Sequence, residues 1–279
     1  MNAQPGWARR ALRPLSALTE HRSLTLELAK RDVLGRYRGA SFGLLWSLIS
    51  PFLMLMIYTF AFGTVMGNRW PQVEQGGASF SIILFAALIV KGFFSEVLNK
   101  APTLVTANPN FVKRVVFPID ILPWPLVMSA LFHAGTTLLV FLALRLVMDG
   151  QLAWTTVFFP LVMLPLLVLC LAIAWFLAAL GVYLRDITQV TPLLSLALLF
   201  LSTAMMPLES VPESYRWVFE YNPLSFIIDQ ARAVLLWQQL PDAWGLLRYL
   251  AVAHFGRGRG DWAAGEAPPH WRAQVEQVL

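Results

Sequence analysis

The amino-acid sequence predicts an all-α polytopic membrane protein. Of its 279 residues, 57% are hydrophobic and only 13% are charged, whereas a soluble domain carries about 25% charged residues. The mean hydropathy is +0.61. Uncharged stretches of roughly 20 residues, the length that crosses a bilayer as a helix, recur along the chain. We therefore expect one membrane domain rather than a soluble enzyme or a nucleic-acid-binding protein.

The segment before the first span is basic. Eight of the 21 Lys and Arg residues lie between Arg9 and Arg38, and basic residues that flank a span are retained in the cytoplasm. Their placement favours contact with anionic lipid over nucleic acid. No signal-peptide core precedes Gly39, so no cleaved leader is expected. Residues 1–40 are predicted to be cytoplasmic, with Ser16 to Arg38 as an amphipathic interfacial helix.

Uncharged runs in residues 41–206 predict five clear transmembrane helices. They are Phe42 to Met66, Phe80 to Leu98, Trp124 to Leu146, Leu152 to Tyr183 and Ile187 to Met206. The fourth run is too long for a perpendicular helix and contains Pro160 and Pro165, so a tilt, a kink or an extramembrane first turn is expected.

A cytoplasmic segment near residues 108–118 lies between the second and third spans. Asn110 is expected to cap a short helix that ends at Pro118. The helix combines apolar and basic side chains, namely Phe111, Val112, Lys113, Arg114, Val115 and Val116. Such a helix suits docking into a groove of a partner protein, and the alternative is a helix lying on the membrane surface.

Residues 207–244 differ from the spans because acidic and aromatic residues are spread through them. We expect short amphipathic helices on the outer surface. Asn222 is predicted to cap one of them and Pro223 to begin it. Residues 245–279 are atypical. Gly245 to Phe255 has eleven residues and contains Arg248, so no sixth span of normal length is expected there.

Ionisable residues inside the predicted spans are candidates for function, because they are costly in a bilayer. Lys91 is expected either to snorkel or to line a polar cavity, and Glu96 to pair with Lys100 at the i,i+4 spacing. His133 is expected either to satisfy a backbone carbonyl or, less commonly, to relay a proton. Spans one and two are rich in aromatic residues, which either pack in the bundle or stack on sugar rings.

The sequence contains no P-loop motif, no His-Glu-x-x-His and no Cys-x-x-Cys. ATP hydrolysis and metal sites of those kinds are therefore not expected on this chain. If transport is driven by energy, that energy comes from another chain or from a gradient.

Several short segments, in order, resemble the permease subunits of type-2 ABC exporters for bacterial O-antigen, capsule or teichoic acid chains. They are Arg31-Asp32, Arg36-Tyr37-Arg38, Ser41 to Trp46, Pro51, Asn108-Pro109, Lys113-Arg114, Phe117-Pro118, Leu122-Pro123, Leu184 to Ile187, and Tyr221 to Leu224 with Arg232. The similarity covers approximately residues 20–240.

The resemblance implies a homodimer with six spans per subunit in the bacterial inner membrane. A separate ABC ATPase subunit, which holds ATP and Mg, would bind the cytoplasmic face, so no cofactor is expected on this chain. The substrate would be a lipid-linked polysaccharide surrounded by membrane lipid. The chain would be a transport permease and not an enzyme.

The resemblance also implies roles for particular residues. Asn110 to Val116 would form the coupling helix, and Arg31, Arg36, Tyr37 and Arg38 would belong to an interfacial gate helix. Asn222, Pro223 and Arg232 would belong to outer re-entrant helices. The residues to test for contact with the glycan are Trp46, Tyr58, Phe60, Phe62, Phe85 and Lys91.

The C-terminal region departs from that family, because Arg257 to Leu279 is polar and unpatterned where a final span is expected. A truncated or frame-altered C-terminus would explain the departure. Two alternative functions stay open at this point. One is an ABC exporter of a drug or simple lipid. The other is a membrane enzyme acting on lipid-linked sugars, with candidate groups Glu96, His133, Glu209, Glu213 and Asp229.

Overall fold

The computed structural model describes residues 19–61, 80–108 and 121–264, except for the side chains of residues 148–149 and 254–264. All regular elements in these ranges are helical. The α-helices are α1 (Arg22–Arg36), α2 (Trp46–Tyr58), α3 (Phe80–Lys100), α4 (Pro123–Asp149), α5 (Phe159–Tyr183), α6 (Ile187–Phe200), α7 (Glu213–Glu220), α8 (Pro223–Leu235) and α9 (Ala243–Ala264). The predicted all-α polytopic fold is confirmed.

Four helical segments in the described ranges are long and apolar enough to cross a membrane. They are Gly43–Ala61, Phe80–Thr103, Pro123–Val147 and Trp154–Tyr183. The first four predicted spans therefore coincide with helices, although residues beyond Ala61 lie outside the described part of the first. A separate 3-10 helix, Trp154–Phe158, precedes α5, and Pro160 lies in the first turn of α5. The tilt, kink or extramembrane first turn expected for the fourth span stays a prediction.

The fifth predicted span is shorter than the sequence pattern indicated. Helix α6 has 14 residues, which at 1.5 Å per residue is about 21 Å, whereas a hydrocarbon core is about 30 Å thick. The chain after Phe200 leaves the helix and forms turns as far as Met206. Apolar composition continued across this break, so composition did not reveal where the helix ends.

The sequence predicts no sixth span of normal length after Gly245, and among the described residues no helix long and apolar enough to cross a membrane follows α5. Helix α9 has 22 residues and continues through Gly256, Gly258 and Gly260. It packs along α5. Its apolar part ends at Ala253, so the polarity of the later residues was read correctly.

Helix α3 forms the centre of the bundle and packs against α4, α5, α6 and α8. Of the 18 most apolar consecutive residues of its span, 78% are buried, whereas the corresponding share for the α2 span is 11%. Fully buried aromatic residues of the core include Phe85 and Phe93 of α3 and Phe141 of α4. The core is therefore built around α3, and α2 lies at the edge.

The two ends of the bundle are named here after the two ends of α3. At the Lys100 end, α3 ends, α4 begins and α5 ends. Gly181 of α5 lies so close to the turn after α3 that a Cβ atom there would be 1.9 Å from the backbone oxygen of Pro102. Glycine permits this close approach of two backbones. At the Phe80 end, α3 begins near the end of α8 and near the loop that follows α6.

Helix α1 packs against α4. The face that it buries carries Thr25, Ala29 and Val33, which are spaced by four residues and so lie on one side of the helix. Leu26 and Leu34 are exposed. The buried face is therefore lined by small side chains, and Leu26 and Leu34 are available to contact lipid.

Candidate functional site

A half-buried carboxylate at the Lys100 end joins three helices. Glu96 of α3 accepts from Arg36 Nη2 of α1 at 2.9 Å and from Lys100 Nζ, one turn further along α3, at 3.0 Å. It also lies 2.9 Å from Nδ1 of His133 of α4. The predicted i,i+4 pair of Glu96 with Lys100 is confirmed, and Glu96 has further partners on α1 and α4.

The imidazole ring of His133 contacts both charged groups. Its Nδ1 lies 3.0 Å from Arg36 Nη1 as well as close to the Glu96 carboxylate. A guanidinium only donates and an ionised carboxylate only accepts. A proton on Nδ1 therefore makes the bond to Glu96, and an unprotonated Nε2, which lies 3.4 Å from Arg36 Nη1, can then accept from the guanidinium. Tyr37 packs its ring edge against the imidazole, with ring centroids 6.0 Å apart.

A second ion pair also joins α1 and α3. Lys100 Nζ donates to Asp32 Oδ2 of α1 at 3.1 Å. Each helix thus contributes one acid and one base, at i,i+4 spacing: Asp32 with Arg36 on α1, and Glu96 with Lys100 on α3. We call these four residues the α1–α3 brace. Their formal charges cancel, and they hold α1 in one register along the bundle.

A cavity of about 590 Å³ adjoins the brace. It lies between α1, the turn after α3 and the start of α4. Its lining residues are Leu28, Arg31, Asp32, Gly35, Arg36, Lys100, Thr103, Leu104, Ala107, Asn108, Leu122, Pro125 and Leu126. In the described part of the chain, no group of three or more His, Cys, Asp or Glu side chains is arranged to hold a metal ion.

Three of the predicted gate residues meet at this site. Arg31 lines the cavity, Arg36 belongs to the brace, and Tyr37 packs on His133. Arg38 is exposed in the turn that follows α1. Asp32 was quoted in the sequence only as a neighbour of Arg31, and its role in the brace was missed. The signal was an acid and a base four residues apart on each of two helices.

A different kind of site lies at the Phe80 end. Arg232 of α8 is 2% exposed, and its guanidinium donates to three backbone oxygens, those of Ile83 at 3.3 Å, Thr203 at 2.7 Å and Ala204 at 2.8 Å. Asp229, one turn earlier, approaches it only to 3.7 Å. Arg232 therefore ties α8 to the start of α3 and to the loop after α6.

Asn222 binds the other end of α8 to the end of α6. Its side-chain oxygen accepts from the Leu224 backbone N–H at 2.9 Å, which confirms the predicted cap, and Pro223 follows as the first helical residue. Its amide nitrogen donates to the carbonyls of Leu198 and Leu201, each at 2.9 Å. The end of α6 leaves carbonyls without helical partners, and Asn222 satisfies two of them.

The two ends of helix α8 contact different parts of the bundle. It begins beside the end of the short helix α6, where Pro223 accepts a hydrogen bond from Tyr249 of α9. It ends beside the Phe80-end termini of α4 and α5, since Arg145 donates to the carbonyl of Leu235 and Thr155 to that of Val234. Helix α8 therefore runs from the end of α6 to the Phe80 end of the bundle.

The residues predicted to contact a glycan lie in different environments. Phe60 is exposed, whereas Trp46, Tyr58 and Lys91 are half-buried. Phe85 is buried and stacks on Phe141 with ring centroids 6.3 Å apart, so its ring is not exposed for contact with a sugar. Phe62 and the predicted coupling residues, Asn110 to Val116, lie outside the described residues.

Comparison with known proteins identifies the family. Residues 23–236 match the family described as ABC-2 type transporter, and this match covers more than half of the chain. The chain belongs to the ABC-2 type transporter family. It is therefore a multi-pass membrane protein of a transport family, and both the α1–α3 brace and the Arg232 site lie within the matched residues.

Curated relatives of this ABC-2 family member are named as permeases or transport proteins. The chain is 28% identical over 244 residues to the O-antigen export system permease protein RfbA of Myxococcus xanthus, covering 87% of this chain and 91% of the relative. It is 26% identical to a protein of the same name from Klebsiella pneumoniae, covering 78% and 79%. It is 27% identical to the polysialic acid transport protein KpsM of Escherichia coli, covering 84% and 89%.

Proposed function

We propose that this chain is the membrane-spanning permease subunit of an exporter that moves a lipid-linked polysaccharide across the bacterial inner membrane. A separate ABC ATPase subunit supplies the energy by hydrolysing ATP with Mg. The observation that carries the proposal is the set of relatives named for O-antigen export and polysialic acid transport, which align over 78–87% of this chain.

In this proposal the Lys100 end faces the cytoplasm. The basic residues that precede α2 and the Lys100 side chain support that orientation, because basic flanks remain inside. Residues 1–40 hold the gate helix α1, residues 41–206 the transmembrane domain, and residues 207–244 the outer re-entrant helices. The coupling helix near residues 108–118 docks into the ATPase, with Phe111, Val115 and Val116 as its apolar contacts.

A second copy of the chain completes the transport path. The α2 span is only 11% buried within one chain, and its exposed side chains are large and apolar, including Phe52, Met56, Ile57 and Phe60. Such a surface requires lipid or protein cover. The glycan contacts proposed on this edge are Trp46, Tyr58, Phe60 and Phe62, together with Lys91 of α3.

The experiment that tests the function is deletion of the gene in its native bacterium. We expect loss of the surface polysaccharide and its accumulation inside the cell, measured by antibody labelling of intact and permeabilised cells. A plasmid copy of the wild-type chain should restore export. Normal surface labelling in the deletion strain would contradict the proposal.

The proposed partner is tested by purification in mild detergent and mass spectrometry for a P-loop protein. We expect the wild-type chain to retain a stoichiometric ATPase and Phe111→Asp to lose it. The matched control is Tyr215→Asp, which places the same charge on an exposed aromatic residue of α7 and should keep the ATPase. Equal retention by both variants would contradict the coupling role of Phe111.

A further inference from the structure

His133 lies where three helices meet at the Lys100 end, and its side chain is only 13% exposed. Its Nδ1 is 2.9 Å from the Glu96 carboxylate of α3. Nη1 of Arg36, from α1, is 3.0 Å from Nδ1 and 3.4 Å from Nε2. A histidine side chain changes its charge between about pH 5 and 8, where arginine and glutamate ordinarily do not. The charge of this ring therefore bears directly on how α1 is held.

A neutral ring is compatible with both of its charged neighbours. With its proton on Nδ1 it donates to Glu96, and Nε2 is free to accept from Arg36. Glu96 also accepts from Arg36 Nη2 at 2.9 Å and from Lys100 Nζ at 3.0 Å. Because the formal charges of the α1–α3 brace cancel, the neutral ring adds nothing to the charge of the cluster. Arg36 then bonds both α3 and α4.

A protonated ring is not compatible with Arg36 in the same position. Both ring nitrogens then donate, so Arg36 Nη1 loses its acceptor on the ring. A positive charge also faces the guanidinium at 3.0 Å, and in a site with little water this repulsion is stronger than at an exposed surface. At the same time, an imidazolium bonds the Glu96 carboxylate more strongly than a neutral imidazole does. Protonation therefore disfavours Arg36 and supplies Glu96 with another cationic partner.

The helices around His133 carry few other groups that respond to pH. Helices α2 and α5 pack against α4, and neither contains Lys, Arg, His, Asp or Glu. Their ionisable side chains are Tyr58 of α2 and Cys170 and Tyr183 of α5. From α1, Tyr37 packs against the imidazole, Arg31 lines the adjacent cavity and Asp32 accepts from Lys100. Of these side-chain types, histidine is the one whose charge ordinarily changes near neutral pH.

We propose that His133 is a proton-binding site that controls the attachment of α1 to the bundle. When the ring is neutral, Arg36 bonds Glu96 and holds α1. When the ring is protonated, His133 replaces Arg36 as the partner of Glu96, and α1 separates more readily from α4. Only the statement that the proton comes from the cytoplasm rests on the proposed function, through its orientation of the Lys100 end.

The direction of the pH effect follows from linkage. The separated state no longer has a guanidinium beside the ring, so it binds the proton more tightly than the closed state. A ligand that binds one state more tightly shifts the equilibrium toward that state. The contribution of Arg36 is therefore complete when His133 is neutral and declines as the pH falls through the range in which the ring takes up its proton.

Helix α1 has little else to hold it when Arg36 leaves. Its contact with α4 is made by the small side chains of Thr25, Ala29 and Val33. The remaining ion pair of the brace joins Asp32 and Lys100, whose side chains are 42% and 33% exposed, and exposed ion pairs contribute little to stability. A change at Arg36 is therefore expected to be visible in the opening of the whole helix.

The test measures the accessibility of the buried face of α1 at two pH values. The full-length chain, with any subunit that co-purifies, is reconstituted in phosphatidylcholine nanodiscs, whose headgroups do not titrate in this range. Cys170, the only cysteine, is replaced by Ala. Thr25→Cys then places a thiol on the buried face, and Leu26→Cys places one on the exposed face. Maleimide labelling is followed at about pH 8 and about pH 6, on either side of the usual titration of histidine.

The quantity compared is the labelling rate of Thr25→Cys divided by that of Leu26→Cys. Thr25→Cys reacts only when α1 opens and Leu26→Cys reacts at all times, so the ratio reports opening and removes the pH dependence of the thiol itself. We expect the ratio to rise about fivefold from pH 8 to pH 6, the lower end of the range usual for coupled sites. A ratio that does not change with pH would overturn the proposal.

A thiol on the buried face of α8 detects a general loosening of the fold. Ala231 is fully buried, and Ala231→Cys should stay protected at both pH values. A parallel rise in its labelling at pH 6 would overturn the proposal, because acid would then open the whole bundle. If Thr25→Cys does not fold, Ala29→Cys reports on the same face of α1.

Substitution of two histidines identifies the group that responds. Glutamine is neutral at both pH values and, like a neutral imidazole, has a donor for Glu96 and an acceptor for Arg36. His133→Gln should keep α1 protected at pH 8 and abolish the rise at pH 6. The matched control is His21→Gln at the start of α1, which should leave the rise unchanged. A rise that persists in His133→Gln, or that is lost in His21→Gln, would overturn the proposal.

Arg36→Gln separates an exchange of partners from a merely structural role of Arg36. If protonation acts by displacing Arg36, its removal should raise the ratio at pH 8 toward the value that wild type reaches at pH 6, and acid should have little further effect. If Arg36 only adds stability, the substitution should raise the ratio by the same factor at both pH values. That second result would contradict the exchange.

These measurements do not depend on export of a polysaccharide or on an ATPase partner. A deletion strain with normal surface polysaccharide would overturn the proposed function and leave the labelling result standing. Labelling that is independent of pH, in a chain whose deletion abolishes export, would overturn the role of His133 and leave the proposed function standing.

Discussion

Charged residues bind both ends of α3 to neighbouring elements, but the type of partner and its exposure differ between the two ends. At the Lys100 end, side chains bond to side chains, and the groups of the α1–α3 brace are between 11% and 42% exposed. At the Phe80 end, Arg232 is 2% exposed and bonds to backbone carbonyls of α3 and of the loop after α6. One end uses partners that solvent and ligands can reach, and the other does not.

This difference indicates which end is built to move. An ion pair near the surface can exchange its partner for water, salt or a ligand at small cost. A buried guanidinium that leaves its carbonyls loses its own bonds and strands three acceptors in a place without water, which is expensive. Helix α8 is therefore expected to stay fixed to α3 while α1 opens and closes.

The largest effect is expected from Arg232→Met. The substitution keeps much of the side-chain volume but removes all three hydrogen bonds to carbonyls, and we expect a loss of about 3–5 kcal/mol of stability. In a chain of this size that lowers the melting temperature by about 10 °C, as measured by scanning fluorimetry of the purified protein in mild detergent.

The matched control is Arg216→Met. Arg216 lies on α7 with its side chain 38% exposed; it donates to one carbonyl, that of Val211 at 3.1 Å, and its other partner, Glu213, is 3.8 Å away and mostly exposed. We expect a change of less than about 1 kcal/mol. Equal melting temperatures for the two variants would remove the basis for treating the Phe80 end as the fixed one.

A second test of the fixed end uses two substitutions at Asn222. Asn222→Ala removes both the cap of α8 and the two bonds to the end of α6, and we expect a loss of about 2 kcal/mol. Asn222→Asp keeps an oxygen for the Leu224 N–H but has no donor for the carbonyls of Leu198 and Leu201. If the bonds to α6 contribute to stability, the melting temperature of Asn222→Asp will lie between those of Asn222→Ala and wild type.

Local sequence patterns predicted the Phe80 end better than the Lys100 end. The Asn222 cap and the Pro223 start of α8 are both local signals, and both are confirmed because cap chemistry acts within one helical turn. The partners of Arg232 are carbonyls of residues 28 to 149 positions away. Backbone acceptors carry no residue type, so no sequence pattern indicates them.

At the Lys100 end, only the local half of the brace was predictable. The pair of Glu96 with Lys100 follows from i,i+4 spacing on one helix. The pairs with Asp32 and Arg36 depend on how α1 lies against the bundle, and that position is set by the small face of Thr25, Ala29 and Val33. Sequence does not reveal this face, because apolar periodicity marks lipid-facing and protein-facing residues alike.

Glu96→Gln is expected to lower the overall stability less than Arg232→Met does. Its main effect should be on the local opening of α1. The amide cannot hold Arg36 and Lys100 as a carboxylate does, so we expect a loss of about 1–2 kcal/mol, mostly in local opening. Hydrogen exchange followed by mass spectrometry should show about tenfold less protection in α1 and unchanged protection in α8. Loss of protection in both helices would show that the two ends open together.

The smallest effect is expected from Asp32→Asn. Exposed ion pairs contribute about 0.2–1 kcal/mol, so the melting temperature should fall by less than about 3 °C. The sharper measurement is its salt dependence, because the Debye length shrinks from about 10 Å at 0.1 M salt to about 3 Å at 1 M. At 1 M NaCl the melting temperatures of wild type and Asp32→Asn should become equal. The lowered melting temperature of Arg232→Met should persist, because the bonds to carbonyls that this substitution removes are buried. A salt-independent effect of Asp32→Asn would place the brace with the buried, fixed contacts and not with the exchangeable ones.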